Sequence, residues 1–264
     1  MEFMMTVALQ DLEAVFSRWR VWTLLAWQDV YLRYKRSLIG PFWISISQSI
    51  TILAAAFLYS QIFNLPFKEF LGYITAGVLV WNFIAFLLGE ASTYIVEAEG
   101  LVKSLPIPIP VLAARIALRN LIVLMHNIVV FGAILIFFGT TFTWTALLAV
   151  LAIPVLTVMG FLAAIALGPV CALYRDLALI IQNGLAFMFF LTPIIWKADQ
   201  LPERAIFVLG NPFYHLVELV RSPLIDGTPA SGLNWAVAAG CLCLLAALAW
   251  VSLVSSRGKL YFWI

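Results

Sequence analysis

WTALLAVLAIPVLTVMGFLAAIALGPVCA, residues 144–172, contains no charged side chain and as a helix is long enough to cross a hydrocarbon core about 30 Å thick. The same pattern recurs on either side of it. Charged residues collect in short islands, and apolar runs of about 20 residues separate them. With 64% hydrophobic and 11% charged residues among 264, the chain falls far below the roughly 25% charge of a soluble domain, so lipid is its solvent. Residues 134–138 (ILIFF) and 187–191 (FMFFL) are apolar on every side, whereas a membrane barrel would alternate apolar and polar positions. The expected fold class is therefore all-α. The pattern predicts a polytopic membrane protein with six transmembrane helices at about 38–63, 73–91, 111–138, 144–172, 177–196 and 235–254, forming a single transmembrane domain over 1–264.

Before the first span, residues 12–31 place Phe16, Trp19, Thr23, Ala26, Trp27 and Val30 on one helical face and Arg18, Gln28 and Asp29 on another. This predicts an amphipathic helix lying in the membrane interface. Glu2, Asp11 and Glu13 interrupt the first residues, so no cleavable signal peptide is expected. Lys and Arg residues are retained in cytoplasmic loops. On the predicted topology Arg18, Arg20, Arg33, Lys35, Arg36, Lys103, Arg115, Arg119, Arg175, Arg257 and Lys259 share one side, against Lys68, Lys197, Arg204 and Arg221 on the other. Both termini are expected in the cytoplasm.

Two connections do not read as simple turns. Residues 97–110 are long enough for a short amphipathic helix stopped by Pro106 and followed by an extended Pro-rich step. Residues 197–234 hold an apolar piece at 205–209, then Asn211-Pro212, then an apolar stretch broken by His215, Glu218 and Arg221. Each piece is too short to span and too apolar for a solvated loop, which predicts a re-entrant helical hairpin on the outer side.

Several chemistries find no residues to carry them. No stretch fits G-x-x-x-x-G-K-[ST], so any ATP dependence must come from a partner. His126 and His215 lie far apart and outside any metal-ligand spacing, and no metal site is expected. His126-Asn127 reads as a polar packing pair. Cys171, Cys241 and Cys243 lie in apolar stretches and read as packing or lipid-facing residues. An ion-driven carrier keeps carboxylates inside its spans; here Glu90 is the one candidate, close enough to an interface to be solvated. The chain has twenty Phe, ten Trp and eight Tyr, and Trp43, Phe57, Tyr59, Trp81, Phe83, Phe187, Phe189 and Phe190 fall inside spans rather than in an interfacial belt. They could face a pore over which sugar rings slide, or pack against helices and lipid.

The segments LAWQDVYLRYKRSLIGPFW (25–43), EAEGLVKSLP (97–106), LYRD (173–176), LTPIIWK (191–197) and NPFYH (211–215) resemble, in order, type-2 ABC transporter permeases. The resemblance is greatest to membrane subunits that export lipid-linked O-antigen polysaccharide, a component of lipopolysaccharide. It implies a homodimer of this chain in a bacterial inner membrane, working with two copies of a nucleotide-binding ATPase that holds ATP and Mg; this chain binds no cofactor and is not an enzyme. Glu97, Glu99, Gly100, Lys103, Ser104, Leu105 and Pro106 would form one ATPase-coupling helix, and Tyr174, Arg175 and Asp176 a second contact. Arg33, Tyr34, Lys35 and Arg36 would attract the pyrophosphate of an undecaprenyl-linked glycan. Trp43, Phe57, Tyr59 and Trp81 would line the channel, and Asn211, Pro212, Phe213, Tyr214, Glu218 and Arg221 would form a periplasmic gate. The alternatives are a permease of the same type for capsule, teichoic acid, lipid or drug, a membrane-embedded transferase, and a non-transporting scaffold. A transferase would need a cavity-facing catalytic carboxylate or histidine, and a scaffold would not need the two charged cytosolic links. No nucleic-acid partner is expected.

Overall fold

The computed structural model describes residues 2–35, 40, 42–105, 107–140, 142–198 and 205–256, and among them there is no strand. The helices are α1 (Glu2–Ser17), α2 (Trp19–Tyr34), α3 (Phe42–Ile62), α4 (Phe67–Glu97), α5 (Glu99–Ser104), α6 (Ile109–Phe137), α7 (Ala146–Leu173), α8 (Asp176–Leu191), α9 (Ala205–Leu209), α10 (Pro212–Arg221) and α11 (Gly232–Ser256). A π-helical turn, Ser222–Asp226, follows α10 and ends at Gly227 in the left-handed region (φ 67°). The all-helical, polytopic membrane architecture follows from these elements: α3, α4, α6, α7 and α11 are each long and apolar enough to cross a bilayer.

The fifth predicted span differs. Helix α8 has 16 residues and rises about 24 Å, short of the 177–196 expected. Thr192 precedes Pro193, whose ring disfavours the helical region at the residue before it, and Thr192 is extended (ψ 133°). The irregular backbone beyond it is satisfied inside the protein, as membrane depth requires. Tyr73 Oη of α4 donates toward Pro193 O and Trp196 O, each at 3.1 Å, and Arg221 Nη1 donates to Pro193 O at 2.6 Å.

Helix α4 is the axis of the fold and is longer than the 73–91 expected, running through Lys68 and Glu69 at one end and Tyr94 and Ile95 at the other. Its closest partner is α7, where Gly160, Ala164 and Gly168 recur at four-residue spacing. A Cβ on Gly160 would lie 2.6 Å from Leu87 Cδ1, and one on Gly168 only 2.4 Å from Tyr94 Cε1. Small residues let helix backbones approach when lipid supplies no hydrophobic drive for association. Tyr94 Oη, buried here, donates to Ala164 O at 3.1 Å. The α4–α7 seam joins two apolar cores, one around Phe70, Leu87, Phe131 and Leu156, the other around Tyr94, Ile95, Ile116 and Leu253. The two ends of the bundle are called below the α5 end and the hairpin end.

The helix expected at 12–31 is instead two helices broken at Arg18 (φ −105°, ψ 28°). Trp22 Nε1 of α2 donates back to Val15 O at 2.8 Å, stitching the break. The expected apolar stripe also divides: Ala26 and Val30 are buried, while Phe16, Trp19 and Trp27 are exposed. Asp29, assigned to the polar face, turns inward to α6.

Candidate functional site

At the α5 end, the link after α4 folds into a six-residue helix anchored by buried Val102. Glu99 and Lys103 pair across one turn at 2.6 Å, Ser104 Oγ donates to Gly100 O at 2.6 Å, and Leu105 is exposed. Glu97 is the last residue of α4. The α7–α8 corner lies close by. The Glu99 carboxyl is held below its ordinary range chiefly by the hydrogen bond and charge of Lys103, with a smaller contribution from the charge of Arg175. Tyr174 is exposed, and Asp176 opens α8, where a carboxylate favours the helix N-terminus. The residues expected to contact an ATPase thus stand in two adjacent exposed links; Pro106 lies outside the described residues.

The expected entry cluster is less uniform than its sequence. Arg33 turns into the protein toward Glu90 (3.5 Å), Tyr34 Oη is buried without a hydrogen-bond partner among the described residues, Lys35 lies over the Tyr31 ring at 6.0 Å, and Arg36 lies outside the described residues. Arg33 belongs to a network that the sequence did not disclose. Arg115 of α6 donates through Nε and Nη2 to both oxygens of Asp29, at 2.7 and 2.6 Å. Arg119, one turn on, reaches Asp29 at 3.3 Å and Glu90 at 2.7 Å. Asn120 Nδ2 also donates to Glu90. Glu90, expected to be merely solvated, is therefore bound by two arginines and an amide. The i, i+4 spacing of Arg115 and Arg119 inside an apolar helix was the available signal.

At the hairpin end, Asn211 caps α10 by accepting from Phe213 N at 3.0 Å and donates to Thr192 Oγ1 at 2.9 Å. Pro212 occupies the first turn, where no N–H is needed. Phe213 packs on Trp81, 5.5 Å between ring centroids, about 21 Å along α4 from its start, so the hairpin reaches deep into the bundle. Tyr214 packs its ring on His215. His215 Nε2 donates to Leu209 O at 2.8 Å, and its Nδ1 lies 2.8 Å from the Asn234 amide of α11. Arg221, 1% exposed, donates through Nε to Glu218 at 3.0 Å. Its guanidinium lies 3.9 Å from the centroid of the Tyr73 ring, and Ser222 Oγ donates to the other Glu218 oxygen.

Residues 20–225 match the family model of the ABC-2 type transporter. The chain belongs to that family. The match begins in α2 and ends in the π-helical turn, leaving α1 and α11 beyond it. Among similar proteins, the O-antigen export system permease protein RfbA of Klebsiella pneumoniae is 20% identical over 204 residues, 76% of this chain and 78% of the relative. The protein of the same name from Myxococcus xanthus is 20% identical over 196 residues, covering 73% and 75%.

In this ABC-2 chain the four expected channel aromatics occupy different environments. Trp43 and Phe57 stand out from α3, 57% and 63% exposed. Tyr59 is half-buried and stacks on Phe63 at 5.9 Å. Trp81 is 5% exposed, held between Phe189 of α8 (5.8 Å) and Phe213 of α10 (5.5 Å). It joins elements within the chain and only edges a groove of about 550 Å3 between α4 and α8, along with Phe86, Phe190, Gln182, Glu90 and Glu97. Asn127 pairs with Ser45 of α3, and His126 packs edge-on to Phe42. Among the described residues no group of three His, Cys, Asp or Glu could hold a metal.

Proposed function

We propose that this chain is the membrane subunit of an ATP-driven exporter that moves undecaprenyl-linked O-antigen polysaccharide across the bacterial inner membrane. Two copies work with two copies of a separate ATPase that carries ATP, Mg and hydrolysis. The observation that carries this reading is the meeting of two exposed charged links, α5 and Tyr174-Arg175-Asp176, at one end of an otherwise apolar bundle of the ABC-2 family. The names of its relatives favour O-antigen over capsule, teichoic-acid or drug cargo. With both termini in the cytoplasm the chain crosses six times, α8 being the fifth crossing, and the hairpin gates the periplasmic mouth. ATP binding draws the ATPase subunits together, α5 carries that motion upward, and α3 and α8 of the two protomers part to admit the lipid head and glycan.

The test is affinity purification of the tagged chain from its native membrane, with mass spectrometry of co-purifying proteins and glycolipids. Wild type is expected to bring down a P-loop ATPase and a polyprenyl-linked glycan. Reversing charge at Glu97, Glu99 and Lys103 together is expected to deplete the ATPase about tenfold or more. Recovery of no ATPase with wild type, under conditions that preserve such complexes, would sink the reading. A second expectation concerns the exposed aromatics: Trp43→Ala and Phe57→Ala bury no new cavity, so assembly with the ATPase should persist while polymer export falls. Normal export by the double variant would remove these rings from the channel.

A further inference from the structure

Four side chains of the α5-end network are only 11–21% exposed: Asp29, Arg115, Arg119 and Glu90. Charges removed this far from water interact more strongly than surface pairs and leave a costly orphan when broken. Yet the network is unevenly filled. Arg119 Nε has no hydrogen-bond partner among the described residues, and Arg33 stands 3.5 Å from Glu90, too far for a strong contact, with its side chain 44% exposed. A further carboxylate waits nearby. Glu97 lies two turns beyond Glu90 on the same face of α4; its side chain is exposed and makes no hydrogen bond or ion pair among the described residues. A cavity of about 160 Å3 lies between Glu97, Arg115 and Arg119, walled by Tyr94, Leu112 and Ile116.

We propose that Asp29, Glu90, Glu97, Arg115 and Arg119 form a partner-exchange latch that holds α2 on the bundle at rest and frees it when the α4–α5 corner moves. In the structure Arg115 grips Asp29 with two hydrogen bonds, a bidentate contact between α2 and α6. Glu97 is joined to α5 through Ala98 alone, so a push on α5 carries this carboxylate along α6. Arg115 then exchanges Asp29 for Glu97 within the cavity already present, and Arg119 keeps Glu90. Asp29 is left with only its 3.3 Å contact with Arg119, which yields, and α2, with the basic residues at its end, separates from α6. Arg115 holds a carboxylate in both arrangements, and the one it does not hold is open to solvent, Glu97 at rest and Asp29 once α2 has separated, which keeps the two states close in energy, as a switch needs.

This inference rests on the ATPase-driven reading, and its test separates the two. In the full transporter reconstituted in nanodiscs, one pair of spin labels at exposed Tyr31 and Met125 reports the α2–α6 distance, and a second pair at exposed Leu105 and Leu179 reports α5. Addition of a non-hydrolysable ATP analogue is expected to change both distances, the first by about one helical turn, roughly 5 Å. With Glu97→Gln the α5 distance should still change and the α2–α6 distance should not. Asp29→Asn should show the released α2–α6 distance without nucleotide. A disulfide between Asp29→Cys and Arg115→Cys is expected to cut export about tenfold or more, restored by reductant. Movement of α5 with a constant α2–α6 distance, or full export by the cross-linked protein, overturns the latch and leaves the ATPase reading standing. Stillness at both pairs overturns the reading and the latch with it.

Discussion

Replacing Arg221 by methionine is expected to destabilise the protein by about 3–5 kcal/mol, the range for removing one member of a buried ion pair. The guanidinium is the hub of the hairpin end. It neutralises Glu218, shares the Pro193 carbonyl with the Tyr73 hydroxyl and lies against the Tyr73 ring. Methionine fills much of the volume but leaves the buried Glu218 carboxylate without its counter-charge, held only by the Ser222 hydroxyl, and the Pro193 carbonyl with Tyr73 Oη alone. Arg221→Lys should recover only part of the loss, because an ammonium cannot present a planar fork to Glu218 and reach Pro193 together. Adding Glu218→Gln to Arg221→Met should recover more than lysine does, by removing the stranded charge. Unfolding midpoints in mixed micelles of rising SDS content would rank the four proteins. Equal midpoints for Arg221→Met and wild type would show that the pair contributes nothing.

Gly168→Val is the second large effect, acting by overpacking. The first added carbon would stand 2.4 Å from Tyr94 Cε1, well inside van der Waals contact, and Tyr94 cannot swing away without giving up its hydrogen bond to Ala164 O. The expected loss is about 1–3 kcal/mol from overpacking, plus about 1 kcal/mol for that bond. Tyr94→Phe alone isolates the smaller contribution. Tyr94→Ala combined with Gly168→Val should be more stable than Gly168→Val by itself, because the truncated side chain opens the space that valine needs. If that double variant is the less stable, the steric account of the α4–α7 seam is wrong. On the proposed ATPase-driven reading, since α4 ends at Glu97 beside α5, Gly168→Val should also alter ATPase stimulation by cargo more than a destabilised variant at the hairpin end does.

Long charge-free runs made the helical class and most spans legible, because hydrocarbon demands them regardless of how the helices pack. Asn211-Pro212 marked the hairpin's turn for a local reason: a capping side chain followed by a residue with no N–H to satisfy. The early end of α8 was hidden because Ile194, Ile195 and Trp196 continue the apolar pattern, while the backbone obeys the proline at 193. The break at Arg18 lacks a Gly or Pro to announce it. Trp81 could not be told from Trp43 or Phe57, since a helix apolar all round carries no polar face to separate a protein neighbour from lipid or a channel. Glu90, Arg115 and Arg119 were visible as charges, yet their partnership is a product of tertiary packing between α2, α4 and α6. Counting arginines for topology treated them only as orientation signals and concealed their use.

The contact between His215 and Asn234 also sets an order of events during biosynthesis. When the ribosome has delivered α10, His215 has the Leu209 carbonyl for Nε2 but nothing for Nδ1, because Asn234 belongs to α11. An imidazole entering hydrocarbon with one nitrogen unpaired is disfavoured, so the hairpin waits near the water boundary until α11 inserts. Its docking is therefore a late step of maturation, and a nascent chain stalled before residue 234 should leave residues 205–221 open to water-soluble reagents that the finished protein excludes.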